Sequence, residues 1–137
     1  MGIKSVSYQK QVKEQLAKSI FKALDATGFF VEGEAKRLTP VDTGNLRDKF
    51  SHKVTVNEGK VRISNTAKYA VFVEKGTGIF AEEGNGRKTP WVYVDSNGEY
   101  HYTRGQRPQP FLTPAVENNT LQITEIIRHN IKEGMKQ

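Results

Sequence analysis

The sequence contains no cysteine. A disulfide framework, a thiolate zinc site and a cysteine nucleophile are therefore excluded, and the composition suits a reducing compartment without requiring one. There is no run of about 18 apolar residues, so no membrane-spanning helix and no membrane partner are expected. The opening MGIKSVSYQK lacks the apolar core of a signal peptide, which argues against that export route. Met1-Gly2 with Ser5 matches a myristoylation start only in part. Proline is scarce, five residues in 137, and three of the five crowd into GQRPQPFLTP (105–114). The three histidines, His52, His101 and His129, show no metal-ligand spacing. No serine sits in a nucleophile elbow.

Basic charge is present in excess. The formal net charge is +6. Residues 1–38 hold seven Lys/Arg against four acids, residues 39–80 repeat that balance, and residues 81–137 carry seven of each. The positive field therefore belongs to the N-terminal half, where it favours solubility and anionic partners. A chain of 137 residues is expected to form one domain, 1–137.

Residues 7–38 read as one helix, with Val12, Leu16, Ile20, Leu24, Val31, Ala35 and Leu38 at three- and four-residue spacing. Gly28 and Gly33 weaken it by about 1 kcal/mol each relative to alanine, and Thr39-Pro40 stops it. Such a helix would overshoot a domain of this size, so it must bend near the glycines or reach out to a neighbour. HKVTV (52–56) and KVRIS (60–64) alternate around NEG, a hairpin signal. In AKYAVFVEKGTG (67–78), Tyr69, Ala70, Phe72 and Val73 fit a short helix or a strand, and the stretch is read as a short helical turn ending at Gly76. IFAEEGNGRKTP (79–90) has the glycines, charges and proline of a mobile loop. WVYV (91–94) and EYHYTR (99–104) flank DSNG as a second hairpin. Thr113 is expected to cap a final helix with Pro114 at its first position, and Val116, Ile123, Ile127 and Ile131 form its stripe. The fold class is α+β: a long N-terminal helix, an antiparallel sheet of two hairpins, and a C-terminal helix packed on one side of it.

The run Asp42-Thr43-Gly44 is that of an aspartic protease, but it follows a helix and a proline rather than an apolar strand. Pro40, Asp42, Thr43 and Gly44 are read instead as a structural turn in which Asp42 and Thr43 serve as caps. GNGRKT (84–89) fails as a phosphate loop because Arg87 separates Gly86 from Lys88. Trp91, Tyr93, Tyr100 and Tyr102 interleave with Lys88, Arg104 and Arg107. They could stack bases, pair across a hairpin or anchor a protein interface. Arg87, Lys88, Trp91, Arg104, Arg107 and Phe111 are the candidate partner contacts. No large apolar patch is legible, so the free protein is expected to be mostly monomeric.

Three phrases occur in order: TPVDTGNLRDKF (39–50), YAVFVEKGTG (69–78) and TRGQRPQPFLTPAVE (103–117). Together, over about residues 10–130, they resemble the phage tail-component family of the gene-product-ten-like type. The matching residues are Pro40, Asp42, Thr43, Gly44, Leu46, Tyr69, Ala70, Val73, Glu74, Gly76, Thr77, Pro110, Phe111, Pro114 and Ala115, while 80–90 matches no family pattern. The resemblance implies a structural virion protein of the neck or tail, assembled in the host cytoplasm, with no catalytic residues and no cofactor. It implies a homo-oligomeric ring with connector or head-completion proteins on one side and tail-terminator or tail-tube proteins on the other. Contact with axial DNA would be weak and collective. The alternative is a small basic nucleic-acid-binding module.

Overall fold

The computed structural model describes residues 2–39, 46–67, 70–94 and 97–136. The turn at Pro40, Asp42, Thr43 and Gly44, and Tyr69, lie outside the described residues. Helix α1 spans Gly2–Leu38 and passes through Gly28 and Gly33 without interruption. At 1.5 Å per residue it is about 55 Å long. Its C-terminal carbonyls are satisfied locally: the Thr39 hydroxyl donates to Ala35 O at 2.6 Å and Arg47 Nε to Lys36 O at 3.1 Å. Lys36 and Arg37 in the last turn complement the helix dipole.

Strands β1 (Phe50–Thr55) and β2 (Lys60–Asn65) pair antiparallel with Phe50 opposite Asn65 and Thr55 opposite Lys60. A 3-10 turn joins them, closed by Gly59 in the left-handed region (φ 62°) with its N–H on Val56 O at 3.0 Å. Alternation turns Phe50, His52 and Val54, with Val61 and Ile63, to one face, and that face meets α1. Helix α2 (Ala70–Lys75) follows, as expected, and then β3 (Trp91–Val94) and β4 (Tyr100–Thr103), also antiparallel. The α+β class is borne out. Among the described residues, however, the two hairpins form two separate two-stranded sheets rather than one.

The C-terminal helix differs from the expectation. It is two helices, α3 (Leu112–Glu117) and α4 (Thr120–Gly134), broken at Asn118-Asn119. The Asn119 side chain donates to Ala115 O at 2.9 Å, a local bond that competes with helix continuation. Nor is Thr113 the cap. Phe111 holds the N-cap position, where its ring offers no acceptor, and a carboxylate from α2 takes the capping role instead.

The core joins Val31 and Ala35 of α1 to Leu46, Phe111 and Ala115, with Phe50, Ile63, Val73 and Ile123 packed around them. Phe50 and Phe111 meet edge to face at 5.6 Å. Helix α4 runs antiparallel along α1 and ends beside its Gln15, whose amide donates to Gly134 O at 2.9 Å. A Cβ on Gly134 would collide with the Ser19 hydroxyl, so glycine sets how closely the helices approach there. Beyond that end the α1 stripe is uncovered. Leu24 is buried and Ile20 half-buried, but Leu16, Val12 and Tyr8 are exposed. The over-long helix thus extends past its own domain rather than breaking at its glycines.

Candidate functional site

Helix α1 carries β1–β2 on one flank and α4 on the other. A cleft of about 600 Å³ opens between them. Its apolar lining comes from Leu24, Val31, Ile63, Val116, Ile123 and Ile127. Four successive residues of β2, Lys60 to Ile63, line one side, so this wall is the outer edge of that strand. Lys53, Lys60 and Arg62 line the cleft against one acid, Glu58. Glu58 lies 3.8 Å from Lys60. Lys53 and Arg62 are directly opposite each other in the sheet, and among the described residues neither has an ion-pair partner. Like charges in such a cross-strand pair repel and weaken the sheet.

The β3–β4 hairpin is an arm with little packing against the rest of the chain. In its register Val92 faces Tyr102 and Val94 faces Tyr100. These four side chains share a face and are 53 to 78 % exposed. The absence of a large apolar patch, expected from the sequence, does not hold here. On the other face Tyr93 stacks on His101 at 5.2 Å, and the Arg87 guanidinium sits 5.6 Å from the Trp91 ring centre. The arm is rooted by backbone contact between 76–79 and 104–106. Thr77 N–H donates to Gln106 O at 2.9 Å and Ile79 N–H to Arg104 O at 3.1 Å. Gly78 (φ 63°) and Gly105 (φ 123°) permit this approach, since a Cβ on either would strike the opposite backbone.

The sequence-derived contact residues are dispersed. Arg87 joins Trp91, and Arg107 lies 4.9 Å from the Phe80 ring instead. Lys88 and Arg104 are exposed. Phe111 is not a surface residue: it is 2 % exposed and is the largest fully buried side chain among the described residues. In the 79–90 loop, Glu82 N–H donates to Lys75 O at 2.8 Å and Lys75 pairs with Glu83. These bonds anchor the loop's first part, while Arg87 and Lys88 stay exposed. Limited trypsin digestion is expected to cut first after one of these two. First cuts inside α1 would show that the loop is held more firmly than the helix.

Two polar clusters, one buried and one half-buried, were not foreseen. His52 of β1 is held between two carboxylates of α1, with Nε2 2.8 Å from Asp25 Oδ1 and Nδ1 2.9 Å from Glu32 Oε1. Its side chain is 8 % exposed. Burial alone would lower its pKa, but the hydrogen bonds to Asp25 and Glu32, with their charges, outweigh that and hold it above 6.5. Donating from both nitrogens requires the imidazolium form, which leaves neither nitrogen open to accept a proton from a substrate. Gly28 creates the seat, since a Cβ there would overlap the imidazole ring. Phe29 packs edge-on at 4.6 Å.

The second cluster is Glu74 of α2. Its carboxylate accepts the N–H groups of Phe111, Leu112 and Thr113 at 2.8, 3.0 and 2.9 Å, so it caps α3 from another element. Burial alone would raise its pKa. The Thr113 side chain and the three N–H groups reverse that and hold the carboxyl below 4.5. Val73 O also receives the Gln109 N–H at 2.8 Å. The YAVFVEKGTG and QPFLTPAVE phrases therefore lie against each other.

The profile of the family described as "Bacteriophage HK97-gp10, putative tail-component" matches residues 7–76. The match takes in α1, β1, β2 and α2, and with them most of the cleft. It is narrower than the resemblance over about 10–130, and the 103–117 phrase lies outside it. Neither the curated proteins nor the solved structures provide a match. The matched region is just over half of the 137 residues, and the chain belongs to this family of phage tail components.

Proposed function

We propose that the protein is a structural component of the phage head–tail junction and acts by binding, joining or completing the tail as copies assemble into a ring on the tail axis. Connector or head-completion proteins would meet one side of the ring, and tail-terminator or tail-tube proteins the other. The observation that carries this reading is the family match over 7–76. Three structural features support a binding role. Helix α1 projects past its own domain with Tyr8, Val12 and Leu16 uncovered, the arm presents an apolar face, and the cleft carries Lys53 and Arg62 without acidic partners among the described residues. The site of action would be the virion neck or tail, reached from the host cytoplasm during assembly.

The test is genetic. A phage lacking this gene is expected to yield DNA-filled heads and separate or unfinished tails under the electron microscope, with joining restored by the purified protein. Complete, infectious virions formed without it would overturn the reading.

The exposed Tyr100 and Tyr102 favour examining the nucleic-acid alternative, since such rings can stack on bases. Charge argues against it. Residues 91–103 contain Asp95 and Glu99 and no Lys or Arg, while the basic excess is scattered over α1, β1, β2 and α2 at Lys13, Lys22, Lys53, Arg62 and Lys75. Fluorescence anisotropy is expected to show weak DNA binding that vanishes by about 150 mM salt, where the screening length is roughly 8 Å. Submicromolar binding at that salt, lost in Trp91→Ala, would establish the nucleic-acid module instead.

A further inference from the structure

We propose that the cleft between β1–β2 and α4 of one copy receives the β3–β4 arm of a second copy. The inference rests on the ring reading above and gives that ring its contact surfaces.

The two surfaces match in shape, polarity and charge. The arm is a narrow projecting hairpin, and the cleft is an open trough of about 600 Å³. The arm's Val92, Val94, Tyr100 and Tyr102 form an exposed, largely apolar face, and much of the cleft lining is apolar too. Residues 91–103 of the arm carry two acids, Asp95 and Glu99, and no Lys or Arg, with His101 as their one histidine. The cleft presents Lys53 and Arg62, a like-charge cross-strand pair that destabilises the free sheet. An acidic occupant converts that repulsion into attraction and steers the encounter. The outer edge of β2 is also open to a strand laid beside it.

The contact joins different surfaces of the two copies. Each copy donates one arm and receives one, so repetition gives a closed ring or an open helix. One hairpin in one trough is expected to bury too little surface for a stable pair, which takes about 1,000 Å² in total. Two copies in dilute solution therefore part easily, and closure of the full set supplies the stability.

The cysteine-free chain permits a direct test. Val92→Cys marks the arm and Val116→Cys marks the cleft, and both positions are exposed. Gly33→Cys, on an open part of α1, measures random collision. The full-length single-cysteine proteins are mixed pairwise under mild oxidation and the products mapped by mass spectrometry. The expected result is a disulfide-linked heterodimer of the Val92→Cys and Val116→Cys proteins, about tenfold above the Gly33→Cys controls. Adding Lys53→Glu and Arg62→Glu to the Val116→Cys protein should cut the yield about fivefold or more, with no loss in melting temperature. A product dominated by the Val92→Cys homodimer, or a heterodimer yield no higher than the controls, would overturn the proposal. The assay contains no heads or tails. Its failure is therefore separable from failure of the head–tail reading, which the gene deletion tests.

Discussion

Replacing His52 with alanine is expected to cost about 3 kcal/mol of folding stability. Removing one partner of a buried charged cluster leaves the other charges without compensation, which typically costs about 3–5 kcal/mol. The low end applies because Asp25 is partly open to water, with 38 % of its side chain exposed. The effect should depend on pH with a defined sign. The folded-state pKa of His52 lies above 6.5. Its contribution is therefore fully present below about pH 6.5 and is lost as pH rises through the folded value. Thermal melts of the parent protein should show a stability decline as pH rises through that window, and His52→Gln should lack that component. Gly28 sharpens the test. Gly28→Ala alone should destabilise, because the new methyl group displaces the imidazole ring. In a His52→Ala background the same change should stabilise by about 1 kcal/mol, the ordinary helix preference for alanine over glycine. No sign reversal in that cycle, or a pH slope that survives in His52→Gln, would mean that the imidazolium is not what holds β1 to α1.

The position of Gly28 against His52 shows why sequence reasoning reached only part of this molecule. Periodicity located α1, β1 and β2, and the turn residues at Gly76 and in DSNG marked off α2, β3 and β4, because these signals lie within each segment or at its ends. The same reasoning scored Gly28 as a helix defect. Its value is tertiary: it makes room for a residue 24 positions later in the chain. Phe111 was misplaced for a related reason. A proline-rich stretch looks like a surface strap, but its backbone is satisfied by α2, which lets the ring enter the core. Helices α3 and α4 read as one because an apolar stripe continues across Asn118-Asn119, and the stripe carries no record of the local bond that ends α3. The register of the first hairpin was not legible. Counting back from the NEG turn places Lys53 opposite Ile63, but the structure takes Val56 into the turn and so pairs Lys53 with Arg62, a like-charge pair that a free-standing sheet would avoid. The arm was legible in part. WVYV is apolar at every position, so alternation cannot hide both faces when only one has a partner. What no local pattern could show is that the cleft opens between β2 and α4, since that depends on two elements about 60 residues apart meeting the same helix.

Glu74 is the second residue whose loss should be felt throughout the fold. It reaches α3 across 37 to 39 positions of chain and accepts three N–H groups at the start of a half-buried helix, two of them partly shielded from water. A hydrogen bond to a charged group contributes about 1.5–3 kcal/mol, and these three share one carboxylate that is partly hydrated. Glu74→Ala is therefore expected to destabilise by about 2–3 kcal/mol. Glu74→Gln should cost less, because an amide oxygen still accepts while its NH2 group faces like donors. The pH dependence runs opposite to that of His52. The folded-state pKa lies below 4.5, so the contribution is present above that value and is lost as pH falls through the folded one. The parent protein should lose more stability on acidification than Glu74→Gln does. Hydrogen exchange gives the local readout. The amides of Phe111, Leu112 and Thr113 should be protected in the parent and exchange faster in Glu74→Ala, ahead of those in the middle of α4. A melting temperature unchanged in Glu74→Ala, with the three amides still protected, would show that α3 is capped by something else. Because Phe111 enters the core immediately beside this cap, the same variant should also loosen its edge-to-face contact with Phe50. That would tie the placement of β1, and with it one wall of the cleft, to a carboxylate on α2.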